Sequence, residues 1–237
     1  MNKKLKDALK DSFEAPMPVK KEEFLRGIQM PPISSFAFVC SQAAYIHKWI
    51  WALSIMIFSI ALIGAEFLEK NMLWHISSFM PLLALTIITE SGRSETFGMA
   101  EFELSARFSL KSVVLARLGI LGIANLILIC MLVPLAIRNS ETTILQTGIY
   151  LICPYLLTVF LGLWVVRKTR GKETIYLCTG IAASVSFGNM ILYPFFPFIF
   201  GEHLFIWWVA ASVILGIGVA NQCYQVIKQT EELAWNL

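Results

Sequence analysis

From residue 49 onward the apolar positions follow neither strict alternation nor a single helical stripe. They fill six uncharged runs, each bounded by charged residues, over 49–65, 71–89, 118–137, 142–166, 174–201 and 203–227. A helix needs about 20 such residues to cross the hydrocarbon core of a bilayer, within a range of about 17–25. The pattern therefore predicts six spanning helices, at 49–65, 71–89, 118–137, 142–166, 174–193 and 204–227. The fifth run is too long for one helix, and its tail YPFFPFIF holds Pro194 and Pro197. A helix ending near Tyr193 is expected there, followed by a short aromatic segment folded back into the outer interface.

The first 48 residues follow a different pattern. Leu5, Leu9 and Phe13 make a narrow apolar stripe on a basic stretch, which Pro16 and Pro18 interrupt. A second short helix carries Phe24, Leu25 and Ile28 and stops before Pro31 and Pro32. Ser34 or Ser35 is placed to cap a third, 36–48, with Phe36, Val39, Cys40 and Ala43 on one side and Tyr45, His47 and Trp49 at its end. Such a helix suits the headgroup level, as an amphipathic interfacial element before the first span. Trp49, Trp51, Trp74, Trp207, Trp208 and Trp235 lie at the ends of runs, where tryptophan anchors a span at the interface. Residues 228–237 read as a short tail whose last residues continue the final helix.

Composition agrees with the pattern. Hydrophobic residues make up 57% and charged residues 15%, against about 45–50% and about 25% in soluble domains. The net charge of +3 is too small to suggest nucleic acid. Its distribution says more, because seventeen of the nineteen lysines and arginines fall in the N-terminal arm, the segment 90–117, the loop after the fourth run and the tail. Lys70 and Arg138 alone fall on the other side. Positive charge marks the cytoplasmic face. The expected fold is thus an all-α polytopic membrane protein of the cell membrane, with six transmembrane helices and both termini cytoplasmic. Its first forty-odd residues show no apolar core of a cleavable signal, so the first span is expected to serve as the insertion signal.

Chemistry is sparse in the runs. Their only charged or imidazole side chains are His75 and the boundary residue His203, whereas ion-coupled transporters usually carry such groups inside the bundle. The five cysteines show no metal-ligand spacing and read as small hydrophobes. No GxSxG, HExxH or intramembrane aspartate pair occurs, and Gly171-Lys172 lacks the remainder of a phosphate-binding loop. No catalytic residue, metal or cofactor is expected. Asn125, Thr158, Ser184, Ser186, Asn189, Ser212 and Asn221, with Gly119, Gly122, Gly216, Gly218 and Ala220, are expected to serve helix packing.

The segment 90–117 is the one long interior stretch that mixes charge, glycine and aromatic residues. Glu90 sits where the helix dipole disfavours a negative charge, so a cationic partner is expected, with Arg93 or Arg107 near in sequence. Gly98 permits a turn; Met99, Phe102, Leu104 and Phe108 are spaced among Glu95, Glu101, Glu103 and Arg107; Ser109 can cap the next helix. The order Glu90, Arg93, Glu95, Thr96, Gly98, then 101–104, Arg107, Ser109 and Arg117 resembles the intracellular loop of ABC-2-type permeases. The six spans, cytoplasmic termini and leading interfacial helix resemble that family too. Ser105-Ala106 stands where the family often has a proline before the arginine, and the outer loops are very short.

The resemblance implies that 90–117 is a coupling segment docking into an ATP-binding subunit, with Glu90, Arg93, Met99, Phe102, Leu104, Arg107 and Phe108 at the contact. It also implies a second permease subunit, identical or not, and an amphiphilic substrate such as a peptide, lipid or drug. Beside it stands a different expectation, drawn from the long basic N-terminal arm: a membrane-bound regulator or scaffold holding a cytosolic partner.

Overall fold

The computed structural model describes residues 34–67, 72–91, 110–137, 143–169 and 173–235. The two expected helices before residue 33 lie outside the described residues. The chain divides into a unit of residues 1–38 and a larger one of residues 39–237, and it is the larger unit that forms the bundle.

Every regular element among the described residues is helical: α1 (Ser35–Tyr45), α2 (Lys48–Phe67), α3 (Met72–Ser91), α4 (Leu110–Ile137), α5 (Ile144–Lys168), α6 (Glu173–Phe195) and α7 (Phe205–Trp235), with 3-10 turns at Pro197–Phe200 and Glu202–Leu204. Five helices are long and apolar enough to cross a membrane, and α1 with α2 makes a sixth candidate as a pair bent by 82°. This is a multi-pass membrane protein.

Helix ends differ from the uncharged runs in an instructive way. Helix α4 starts at Leu110 and carries Lys111 and Arg117 within it, and α7 continues past Lys228 to Trp235. A run of uncharged residues measures what lipid tolerates, whereas the helix itself continues as long as its backbone is hydrogen-bonded, and long basic side chains reach the interface from within it. Prolines 81, 134, 154 and 194 all lie inside helices, which neighbouring helices in a bundle make tolerable by satisfying the freed carbonyls.

Contacts between helices set their directions. Ser77 meets Tyr150 and Ile88 meets Gly162, so α3 and α5 run parallel with a nearly constant offset. Tyr150 meets Trp208, Phe160 meets Gly218 and Arg167 meets Gln222, so α5 and α7 also run parallel. Asn125 against Leu83 and Arg117 against Glu90 make α4 antiparallel to α3, and Ser186 and Asn189 against Ser78 and Ser77 do the same for α6. Helices α3 to α7 thus alternate in direction.

The core lies between α3 and α5. Met80, Leu83, Ala84 and Ile88 of α3 pack with Leu151, Val159 and Leu163 of α5, all buried. In their spanning portions α3 is 67% buried and α7 only 6%. Gly162 makes the tightest approach, since a Cβ there would lie 2.2 Å from Ile88 Cδ1. Gly218 packs on the Phe160 ring, while Gly119, Gly122 and Gly216 have nothing within 4 Å among the described residues. In α1, Phe36, Val39 and Cys40 are exposed, and Ile46 at the elbow before α2 enters the core.

Candidate functional site

The end of the bundle where α3 leaves off and α4 begins holds its charged contacts. Glu90, in the last turn of α3, is buried at 4% exposure. An acidic side chain there meets the negative end of the helix dipole as well as a poor solvent. Arg117, two turns into α4, places Nη1 3.9 Å from Glu90 Oε1. Among the described residues this cation comes from the far side of the segment 92–109; Arg93 and Arg107 lie outside them. That ion pair ties together the two helices from which the segment emerges.

Beside it, Arg167 near the end of α5 donates from Nη1 to Gln222 Oε1 of α7 at 2.6 Å, and to Gln225 one turn on. Lys168 stacks over Trp164 at 4.7 Å from the ring centroid. Thr169 and Thr174 hydroxyls meet at 3.1 Å across the connection to α6. One end of the bundle thus carries paired cations from α4 and α5, each held by a partner on a neighbouring helix.

Midway, the Asn125 amide of α4 donates to the Leu83 carbonyl at 3.1 Å and to the Thr86 hydroxyl at 3.0 Å, both on α3. Asn189 and Ser186 of α6 donate to the Ser77 hydroxyl and the Ser78 carbonyl. By contrast Thr158, Ser184 and Ser212 donate to carbonyls of their own helices, at Pro154, Gly180 and Val209. Asn221 is exposed and accepts from Gln225 on the same helix.

The opposite end is aromatic. Trp74, Tyr150, Phe200 and Trp208 form one cluster, with the Trp74 and Phe200 rings 3.9 Å apart between centroids. Two hydrogen bonds fix the 3-10 segment to it, from the Tyr150 hydroxyl to the Phe200 carbonyl at 3.1 Å and from Trp208 Nε1–H to the Ile199 carbonyl at 2.9 Å. The aromatic tail of the fifth run folds back onto the bundle by burying Phe200, while Phe195, Phe196 and Phe198 stay exposed.

Of the residues singled out in 90–117, Glu90 is placed as described; Arg93, Met99, Phe102, Leu104, Arg107 and Phe108 lie outside the described residues. Among the tryptophans, Trp49 and Trp207 are exposed, Trp51 and Trp208 half-buried, and Trp74 is turned into the aromatic cluster. Trp235 closes α7, and its side chain is outside the described residues. Among the described residues no group of three or more His, Cys, Asp or Glu is gathered in a way that could hold a metal. The Arg167–Gln222–Gln225 cluster was not singled out in the sequence, although a glutamine pair one turn apart near a basic loop was a visible signal. Compared with family models, curated proteins and solved structures, the chain has no match in any of the three.

Proposed function

We propose that this chain is the membrane-spanning permease subunit of an ABC-type transporter, moving an amphiphilic substrate and driven by a separate ATP-binding subunit. The observation that carries the proposal is the Glu90–Arg117 pair, which ties the helices flanking the segment 92–109 to each other. A push on that segment then reaches α3, the most buried helix, together with α4. Charged side chains among the described spans sit toward their ends and not at their centres, which leaves no mid-membrane ion site to power transport.

In this reading the chain crosses the cell membrane six times, with α1 lying along the cytoplasmic interface and the bend of 82° turning the chain into the first span. Both termini, the segment 92–109 and the Arg167 end face the cytoplasm, following the lysine and arginine distribution. Phe102, Leu104 and Arg107 supply the docking contact, Arg93, Met99 and Phe108 flank it, and a second permease subunit completes the transporter. The substrate is amphiphilic because, apart from Glu90 near one end, the buried polar side chains are hydroxyls and amides in an otherwise apolar interior.

The test is purification of the full chain from its native membranes with a search for an associated ATPase. Phe102→Ala and Arg107→Ala are expected to weaken the association or uncouple ATP hydrolysis. An associated ATPase indifferent to both substitutions would remove the docking assignment.

A further inference from the structure

The segment between α6 and α7 is a pair of single 3-10 turns, Pro197–Phe200 and Glu202–Leu204, joined at Gly201. Its internal hydrogen bonds are local: Ile199 N–H to Phe196 O at 3.1 Å, Gly201 N–H to Phe198 O at 3.2 Å and Leu204 N–H to Gly201 O at 3.1 Å. Of its phenylalanines, Phe198 points out at 68% exposure and Phe200 points in at 9%. A segment so short has little structure of its own, and its seat depends on what Phe200 fills.

That ring packs on Trp74, Tyr150 and Trp208, and the next turn of α3 is polar. Ser77 and Ser78 stand one turn deeper on α3 than Trp74, whose ring Phe200 touches, and Ser78 Oγ donates to the Trp74 carbonyl at 2.8 Å. Ser77 Oγ donates to the Tyr150 carbonyl at 2.8 Å and accepts from Asn189 Nδ2 at 2.9 Å. Ser186 reaches the Ser78 carbonyl from the same helix as Asn189. Hydroxyls from α3 and an amide from α6 therefore meet one turn of α3 away from an aromatic cluster contributed by α3, α5, α7 and the 3-10 segment.

We propose that Phe200 is a removable stopper on a polar cleft between α3, α5 and α6. With the ring seated, the cleft is closed at this end of the bundle; with it withdrawn, the Ser77–Ser78–Asn189 group meets water or a hydrogen-bonding part of a solute. Among the described residues the segment is held by the Phe200 ring, by half-buried Ile199 and by side-chain hydrogen bonds from Tyr150 and Trp208, a set small enough to release together. Bonds of that kind stabilise a contact only modestly, because each replaces a bond to water, so they set a population and not a permanent seal. The stopper requires no ATP-binding partner and stands or falls separately from the transporter assignment.

The experiment uses the full chain, purified in detergent micelles, with the native cysteines replaced and Ser78→Cys as the probe. The rate of its modification by a charged, water-soluble methanethiosulfonate reagent is the readout. The seated ring is expected to give slow labelling, and Phe200→Ala to raise the rate at least about tenfold, a change of about 1.4 kcal/mol in the closed population. Phe198→Ala, on the exposed side of the same segment, is expected to leave it unchanged. Should Phe200→Ala fail to give monodisperse protein, Tyr150→Phe decides: it keeps the ring, deletes the hydrogen bond to the Phe200 carbonyl, and is expected to raise the rate several-fold. Labelling at the parent rate in the deciding variant overturns the stopper. An equal rise with Phe198→Ala overturns it too, since general loosening would then explain both.

Discussion

Pro154 has no N–H, so the carbonyl four residues earlier, Tyr150, loses the donor that an α-helix supplies. Ser77 takes that place from the neighbouring helix, its hydroxyl 2.8 Å from the Tyr150 oxygen, with both residues fully buried. Substituting Ser77→Ala deletes the donor. Leaving a buried acceptor short of a partner costs about 1–3 kcal/mol in soluble proteins, and interhelical hydrogen bonds in membranes average about 0.6 with a maximum near 1.7 kcal/mol. The expected loss is therefore about 1–1.5 kcal/mol. In a Pro154→Ala background the restored N–H can serve Tyr150 from within its own helix, and Ser77→Ala should then cost at most about 0.5 kcal/mol. The bond from Asn189 to Ser77 is lost in both backgrounds and cancels from the cycle. Reversible unfolding of the four proteins in mixed micelles measures the coupling. Equal costs of Ser77→Ala in the two backgrounds, within about 0.3 kcal/mol, would refute the assignment of Ser77 as the substitute donor.

Other perturbations follow from the same contacts. Arg117→Leu leaves Glu90 buried without this cation and is expected to cost about 2–3 kcal/mol, below the about 3–5 of a fully enclosed pair because Arg117 keeps 15% exposure; Glu90→Gln in that background should recover part of the loss in the same unfolding assay. Gly162→Ala drives a methyl into Ile88 and is expected to destabilise by about 1–3 kcal/mol, while Gly122→Ala, facing open space, should cost nothing measurable. Single cysteines at Ser94 and Thr169 should react with an impermeant thiol reagent only from the cytoplasm; labelling of either from outside would reverse the orientation inferred from the charges.

The helical class and the presence of several spans were legible because an uncharged run of about 20 residues has few other uses. Charge stops were poor guides to where helices end, as Leu110 and Trp235 show, because backbone bonding does not stop at a lysine. Partner choice was less legible still. Ser186 reaches a neighbouring helix whereas Ser184 bonds back to its own, and nothing in residue type separates them; the direction each faces around the helix axis does. Glu90 signalled its need for a cation, and Arg117 supplies one that sequence distance did not suggest, because the antiparallel start of α4 passes close to the end of α3. Gly162 escaped notice as one glycine among fourteen until the approach of Ile88 distinguished it. Phe200 was hidden among like residues, since one of the aromatic neighbours at 195–200 turns inward and sequence does not say which.

The association of this chain with an ATPase remains the direct test of its proposed role. Purified from native membranes in a mild detergent, the full chain is expected to carry an ATP-hydrolysing subunit whose turnover falls, or whose retention is lost, with Phe102→Ala or Arg107→Ala, and which survives deletion of residues 1–30. A chain that retains no ATPase, or that holds its cytosolic partner through residues 1–30 alone, would contradict the permease assignment and favour a membrane-bound regulator.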